Sequence, residues 1–151
     1  MSTTDVTAGS ARTPWHLWLV GVVALLFNAI GVFDFVMSFA QGAAYMASAG
    51  MSPEQIDHYL GMPVWMKAVW AIGVWGAFLA SILLLLRRKL AFPVFVVSLA
   101  AFLVSLLYTY VLTDGARIMG GAMVISSTVI TVLLLFFIWY SRTMTKRGVL
   151  R

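Results

Sequence analysis

Four apolar runs, each about 20 residues long, leave this chain few ways to fold. They lie at 17–39, 63–86, 91–112 and 118–140. A helix rises about 1.5 Å per residue, so each run matches the roughly 30 Å of hydrocarbon in a bilayer. Lipid offers no partner to a backbone N–H or C=O, so a continuous apolar run of this length has to satisfy them internally, as a helix. Composition points the same way: 62% of the 151 residues are hydrophobic and 10% are charged. A soluble domain is about half apolar and a quarter charged. The excess has to face lipid.

The expected fold class is an all-α, four-transmembrane-helix up-down bundle forming one domain over 15–140. A disordered cytoplasmic tail is expected at 1–14 and a basic cytoplasmic tail at 141–151. Ser38-Phe39-Ala40 fits the small-x-small rule for signal cleavage. The preceding run is longer than an h-region of about 7–15 residues, so it is read as a span.

Lys and Arg set the orientation. Arg12, Arg87, Arg88, Lys89, Arg142, Lys146, Arg147 and Arg151 fall on one side of the bundle, and only Lys67 and Arg117 on the other. Cytoplasmic loops carry such an excess. Both termini are therefore expected in the cytoplasm of a bacterial inner-membrane protein, with 40–62 and 113–117 in the periplasm. Glu54, Asp57 and Asp114 then lie outside. Trp15, Trp18, Trp139 and Tyr140 form an inner aromatic belt, and Trp65, Tyr108 and Tyr110 an outer one. The basic clusters flank apolar runs, which is a topology pattern and not a nucleic-acid groove. Lipids are the expected partners, with a homo-oligomer or a membrane-protein partner beside them, and no nucleic acid. Arg87-Arg88-Lys89 is read first as a topology signal and second as an anionic-lipid contact.

Small and polar residues at three-four spacing mark the helix faces that pack, since in lipid close approach is the main attraction. Span one offers Gly21, Ala24, Asn28, Gly31, Phe35 and Ser38, and span two Trp70, Gly73, Ala77 and Ala80. Span three offers Ser98, Ala101, Ser105 and Tyr108, and span four Gly121, Thr128 and Thr131.

In the 40–62 connection, Ser52-Pro53-Glu54-Gln55 has the form of a capping box, with Met51 and Ile56 at staple positions and Gly61 placed to end the helix. It predicts a short periplasmic interfacial helix, with Ile56, Tyr59 and Leu60 on one face and Glu54, Asp57 and His58 elsewhere. The helix is read as a lid over the ends of the bundle.

Few residues could carry chemistry. Asp34 is the only acid inside a span, near its outer end. Lys67, Arg117 and Tyr108 are placed at similar depth, which predicts an ion pair of Asp34 with Lys67 or Arg117. The competing reading makes Asp34 a protonatable or cation-binding group in an outward-facing cavity. Asn28, deeper in the same span, either hydrogen-bonds across the bundle or lines a polar pocket. These five form the candidate polar or ion-pair site. His16, among Trp15 and Trp18, is read as snorkelling to headgroups. His58, near Asp57 and Glu54, offers too few ligands for a metal site. The absence of cysteine removes disulfides and thiolate sites. No nucleophile-base pair, phosphate loop or zinc spacing is present, so neither an enzyme nor a cofactor or metal is expected.

Leu26-Phe27-Asn28 with Gly31 and Asp34-Phe35, then Pro63-x-Trp65, Trp75-Gly76, Arg87-Arg88, Pro93-x-Phe95 and Tyr108-x-Tyr110, resemble a family of small four-span proteobacterial inner-membrane proteins. Its members are often labelled "sugar transporter" or hypothetical membrane protein. The likeness runs from Trp15 onward and implies the four-span fold and the inner membrane. Phe27 and Phe35 stand where the family pattern has Trp and Tyr, which removes two polar tips from any sugar site. The label implies no catalytic or binding residues. The function expected is a non-enzymatic accessory or structural membrane component; the alternative is a small oligomeric transporter or permease, with Asp34 and Asn28 lining its path.

Overall fold

The structure of the protein, a computed structural model, describes residues 13–151, apart from the side chains of residues 116, 119, 122 and 123. The expected tail over 1–14 therefore lies, save its last two residues, outside the described part. Six α-helices follow in order: α1 Trp15–Ala40, α2 Ala43–Ser48, α3 Pro53–Leu60, α4 Val64–Leu85, α5 Ala91–Leu107 and α6 Gly115–Lys146. A π-helical turn, Tyr108–Leu112, prolongs α5. Four segments are long and apolar enough to cross a membrane: Trp15–Ala40, Val64–Leu85, Ala91–Leu112 and Val124–Lys146. The protein is an all-α four-span bundle.

The fourth span differs most from its expected limits. Gly120 has φ 71° and ψ −165°, a conformation closed to other residues, and it breaks α6 near its start. Beyond the break α6 continues to Lys146, past the expected end at residue 140. Nor do residues 141–151 form a tail. Gly148, at φ 75°, ends α6 with the hydrogen bonds Gly148 N–H to Thr145 O (3.1 Å) and Val149 N–H to Met144 O (2.9 Å). This turns Val149 and Leu150 into the core, each 3% exposed. Arg151 then exchanges two backbone bonds with the α4–α5 turn: its N–H donates to Arg87 O and its C=O accepts from Lys89 N–H, both at 2.9 Å.

The packing faces of three spans follow the small-residue seams. Gly21, Ala24, Asn28 and Ser38 are buried on α1, Ala77 and Ala80 on α4, and Ser98 and Ala101 on α5. Ser98 Oγ donates to Gly73 O at 2.6 Å, drawing α5 against α4. On α6 the expected stripe is wrong: Gly121 and Thr128 are exposed. The helix instead buries Leu134, Phe137, Tyr140, Ser141 and Met144. Large apolar residues build both its buried and its lipid-facing sides, so the small-residue signal points nowhere useful.

The helices lie in the order α1, α4, α5, α6, each packed on the next, with α4 and α5 the most extensive pair. The core gathers where both ends of the described chain meet the α4–α5 turn, hereafter the basic end. It includes Leu17, Ala80, Leu84, Phe95, Phe137, Tyr140 and Leu150. There His16 Nδ1 hydrogen-bonds the Tyr140 hydroxyl and joins α1 to α6. His16 is thus a link between spans and not a snorkelling group, and Tyr140, 5% exposed, belongs to the core and not to an aromatic belt. Towards the opposite, loop end α1 and α6 have no comparable packing.

Candidate functional site

The loop end is built by two short helices. The capping box of α3 forms as the sequence predicts: Ser52 Oγ accepts from Gln55 N–H (3.3 Å) and Gln55 Oε1 accepts from Ser52 N–H (3.0 Å). Gln55 Nε2 then donates to Ile118 O at 3.2 Å, and Glu54 pairs with Arg117 at 3.3 Å. These bonds tie α3 to the first turn of α6. The helix α2 was not anticipated; it carries Tyr45 back to α1, where its hydroxyl donates to Asp34 Oδ1 at 2.9 Å.

Beneath α2 and α3 lies a cavity of about 660 Å³. Walls come from α1 (Asn28, Gly31, Asp34) and α6 (Ser127, Ile130, Leu134), and the floor from α4 (Trp70, Gly73, Ala77) and α5 (Ser98, Phe102, Ser105). Tyr45 of α2 and His58 and Tyr59 of α3 complete the lining. Ala77 and Leu134 belong also to the core, so the cavity ends where the close packing of the basic end begins. Asn28 sits midway along α1, and Asp34 about 9 Å from its loop end at the usual rise per residue. One continuous space joins the two polar residues of the first span.

The five candidate residues do not form one site. Asp34 and Asn28 line the cavity; Lys67, Arg117 and Tyr108 do not. The expected ion pair of Asp34 is absent among the described residues. Arg117 is held by Glu54 and, at 3.8 Å, by Asp114, and Lys67 makes no ion pair among the described residues. Similar depth does not bring these residues together, because position around the helix axis decides which neighbours meet. Tyr108 packs edge-on to Trp65 with ring centres 5.6 Å apart. Asn28 Nδ2 donates to Ser81 Oγ at 2.8 Å, and that hydroxyl donates to Ala77 O at 2.8 Å. Both residues are buried.

His58 corrects the expected facing of α3, because it points to the cavity along with Tyr59. Burial lowers its pKa below the ordinary histidine value. The Tyr45 phenol is pushed above its usual range, first by its hydrogen bond to Asp34, then by burial and by the carboxylate's charge. Burial and, after it, the charge of Asp34 raise Tyr59 likewise. The charge of Asp34 is therefore felt by both tyrosines of the lining that α2 and α3 supply. Among the described residues no three His, Asp or Glu side chains are grouped to hold a metal ion.

Ser81 and Tyr45, the hydrogen-bond partners of Asn28 and Asp34, escape the sequence reading. Ser81 could have been found, since it stands four residues after Ala77 beside the seam of α4. Tyr45 could not, because the isolated segment Ala43–Ser48 carries no capping signal. No family model, curated protein or solved structure matches the chain.

Proposed function

We propose that the chain is a multi-pass protein of the bacterial inner membrane that binds a small solute in its cavity and passes it across the bilayer as a small permease. The continuous space from Asp34 to Asn28, lined by all four spans, unclosed between α1 and α6 and stopped by the core at the basic end, carries this reading. Its volume falls within the usual ligand-site range of about 300–1,000 Å³. Close packing at the basic end with a solute-sized space among the spans beyond it fits one state of an alternating-access cycle. The Lys and Arg excess at the basic end supports a cytoplasmic position for both termini. The resemblance to four-span proteins labelled as transporters agrees, while the mostly apolar lining argues against a sugar. The reading is non-enzymatic. A second reading, an accessory subunit, is favoured by the unclosed side between α1 and α6, where a partner helix would fit.

Because the chain has no native cysteine, single-cysteine variants test this directly. Ser105→Cys should react with a membrane-impermeant thiol reagent added from the periplasmic side. A permease further requires Leu84→Cys, shut in the core in this state, to react from the cytoplasmic side in everted vesicles. An unreactive Ser105→Cys overturns the cavity. A reactive Ser105→Cys with an inert Leu84→Cys overturns transport and leaves a binding or accessory protein.

A further inference from the structure

Resting on the cavity reading above, we propose that the occupant is an amphipathic organic cation, its charged head at the Asp34 carboxylate and its apolar body towards Phe102 and Leu134. Asp34 is the only acid within a span, and it lines the cavity. Its one side-chain partner among the described residues is the Tyr45 hydroxyl, which brings no positive charge. Neither cation expected beside it is paired with it: Arg117 is held by Glu54, and Lys67 lies outside the cavity lining. Asp34 is exposed, so its carboxylate is open to a bound cation, which would supply the counter-charge that it lacks within the span.

The rest of the lining selects in the same direction. It contains no Lys or Arg, so an anion would find no counter-charge there. Phe33, Tyr45, Tyr59 and Trp70 bring four aromatic rings to the part nearest Asp34, with Phe33 and Tyr45 6.4 Å apart and Tyr59 and Trp70 6.0 Å apart. Aromatic faces attract cations with dispersed charge, alkylammonium groups above all. Deeper down, two of the polar groups are already spent on the protein itself: Asn28 Nδ2 donates to Ser81 and Ser98 Oγ to Gly73 O. A polyhydroxylated solute would leave most of its hydroxyls unpaired among the apolar residues there, whereas a hydrocarbon body would not. A bare metal ion is not favoured, since one carboxylate cannot complete a coordination shell. The side between α1 and α6, without extended packing towards the loop end, gives a lipid-soluble molecule a direct way in.

The test uses three probes with one apolar body and different heads: 4-phenylbutyltrimethylammonium, 4-phenylbutanol and 4-phenylbutanesulfonate. Each is titrated by calorimetry into the full chain in lipid nanodiscs, with empty nanodiscs subtracted. The cation should bind at least tenfold more tightly than the alcohol, and the sulfonate should bind most weakly. Asp34→Asn should erase the preference for the cation, and Asp34→Glu should keep it, with melting curves showing that both variants are folded. Gly31→Phe should abolish binding of every probe, because a Cβ at Gly31 meets only Val74 Cγ1, at 3.9 Å, and a ring there would fill the cavity. Equal binding of cation and alcohol, unchanged by Asp34→Asn but lost in Gly31→Phe, overturns the cation and leaves the cavity reading standing. Failure of all three probes to bind also overturns the cation; the cavity itself is then judged separately by labelling of Ser105→Cys.

Discussion

Asn28 and Ser81 meet in the middle of the bundle, amide to hydroxyl at 2.8 Å, and both are buried. The bond fixes the Asn28 side chain at the deep end of the cavity and joins α1 to α4. Interhelical hydrogen bonds in lipid average about 0.6 kcal/mol and reach about 1.7. Ser81→Ala keeps the volume and removes the acceptor. It should therefore lower stability in detergent by about 1 kcal/mol. Asn28→Leu combined with Ser81→Ala should cost less than the two single changes added together, because neither buried group is then left without its partner. Denaturation of the four variants in one detergent checks this, and additive losses would show the pair to be uncoupled.

Gly21 on α1 leaves the room that the Leu85 side chain of α4 fills. A Cβ built there would stand 2.4 Å from Leu85 Cδ2 and 2.9 Å from its Cγ. Gly21→Ala must displace that side chain, and overpacking of this kind costs about 1–3 kcal/mol. Adding Leu85→Ala should restore part of the loss by making room. Melting temperatures of the single and double variants decide the point: a double variant less stable than Gly21→Ala alone would place the strain elsewhere.

These two contacts also show why the sequence is legible in some helices and not in others. Small residues are the means by which helices attract one another in lipid, so Gly21 and Ala24 announce the packed face of α1, and Ala77 and Ala80 that of α4, directly. Phe137 and Met144 are of the same kinds as the lipid-facing residues around them, and hydropathy cannot tell a buried one from an exposed one. The capping box of α3 is local chemistry within four residues, and it reads cleanly. Asp34 does not. Spacing gave its depth, but its partner comes from α2, a helix of six residues with no signal of its own. A cavity, being defined by atoms on six helices at once, leaves no trace in the order of residues along any one of them.

At the basic end, Gly148 at φ 75° turns the chain so that Val149 and Leu150 enter the core. A side chain in this left-handed region costs about 1–2 kcal/mol per residue. Gly148→Ala should lose about that much stability and loosen the backbone bonds between Arg151 and the α4–α5 turn. Hydrogen exchange reports both effects, with the amides of Lys89 and Arg151 expected to lose protection first. Unchanged protection at those two amides would mean that the turn does not depend on Gly148.

The seat of α3 should weaken in acid, and the sign follows from His58. Its imidazole lies 5.8 Å from the Tyr59 ring and 6.4 Å from the Tyr108 ring, and close enough to Gly115 that a Cβ there would stand 3.3 Å from its Cε1. Burial in that place favours the neutral ring and lowers the pKa below the ordinary 6.5. With α3 released, His58 regains its ordinary value and takes a proton first. Between the lowered pKa and 6.5 the released state therefore binds more protons, so the docked state gains stability as pH rises. The contribution is complete above 6.5 and is lost as pH falls through the lowered value. Glu54, Asp57 and Asp114 provide acids at this end and Arg117 a cation, but the two Arg117 ion pairs are largely exposed and alter the balance little. Amide exchange in α3, corrected for its intrinsic pH dependence, should show less protection at pH 5 than at pH 7.5, and His58→Gln should remove most of that difference. Equal protection at both pH values in the unaltered chain would mean that His58 is not held in its neutral form.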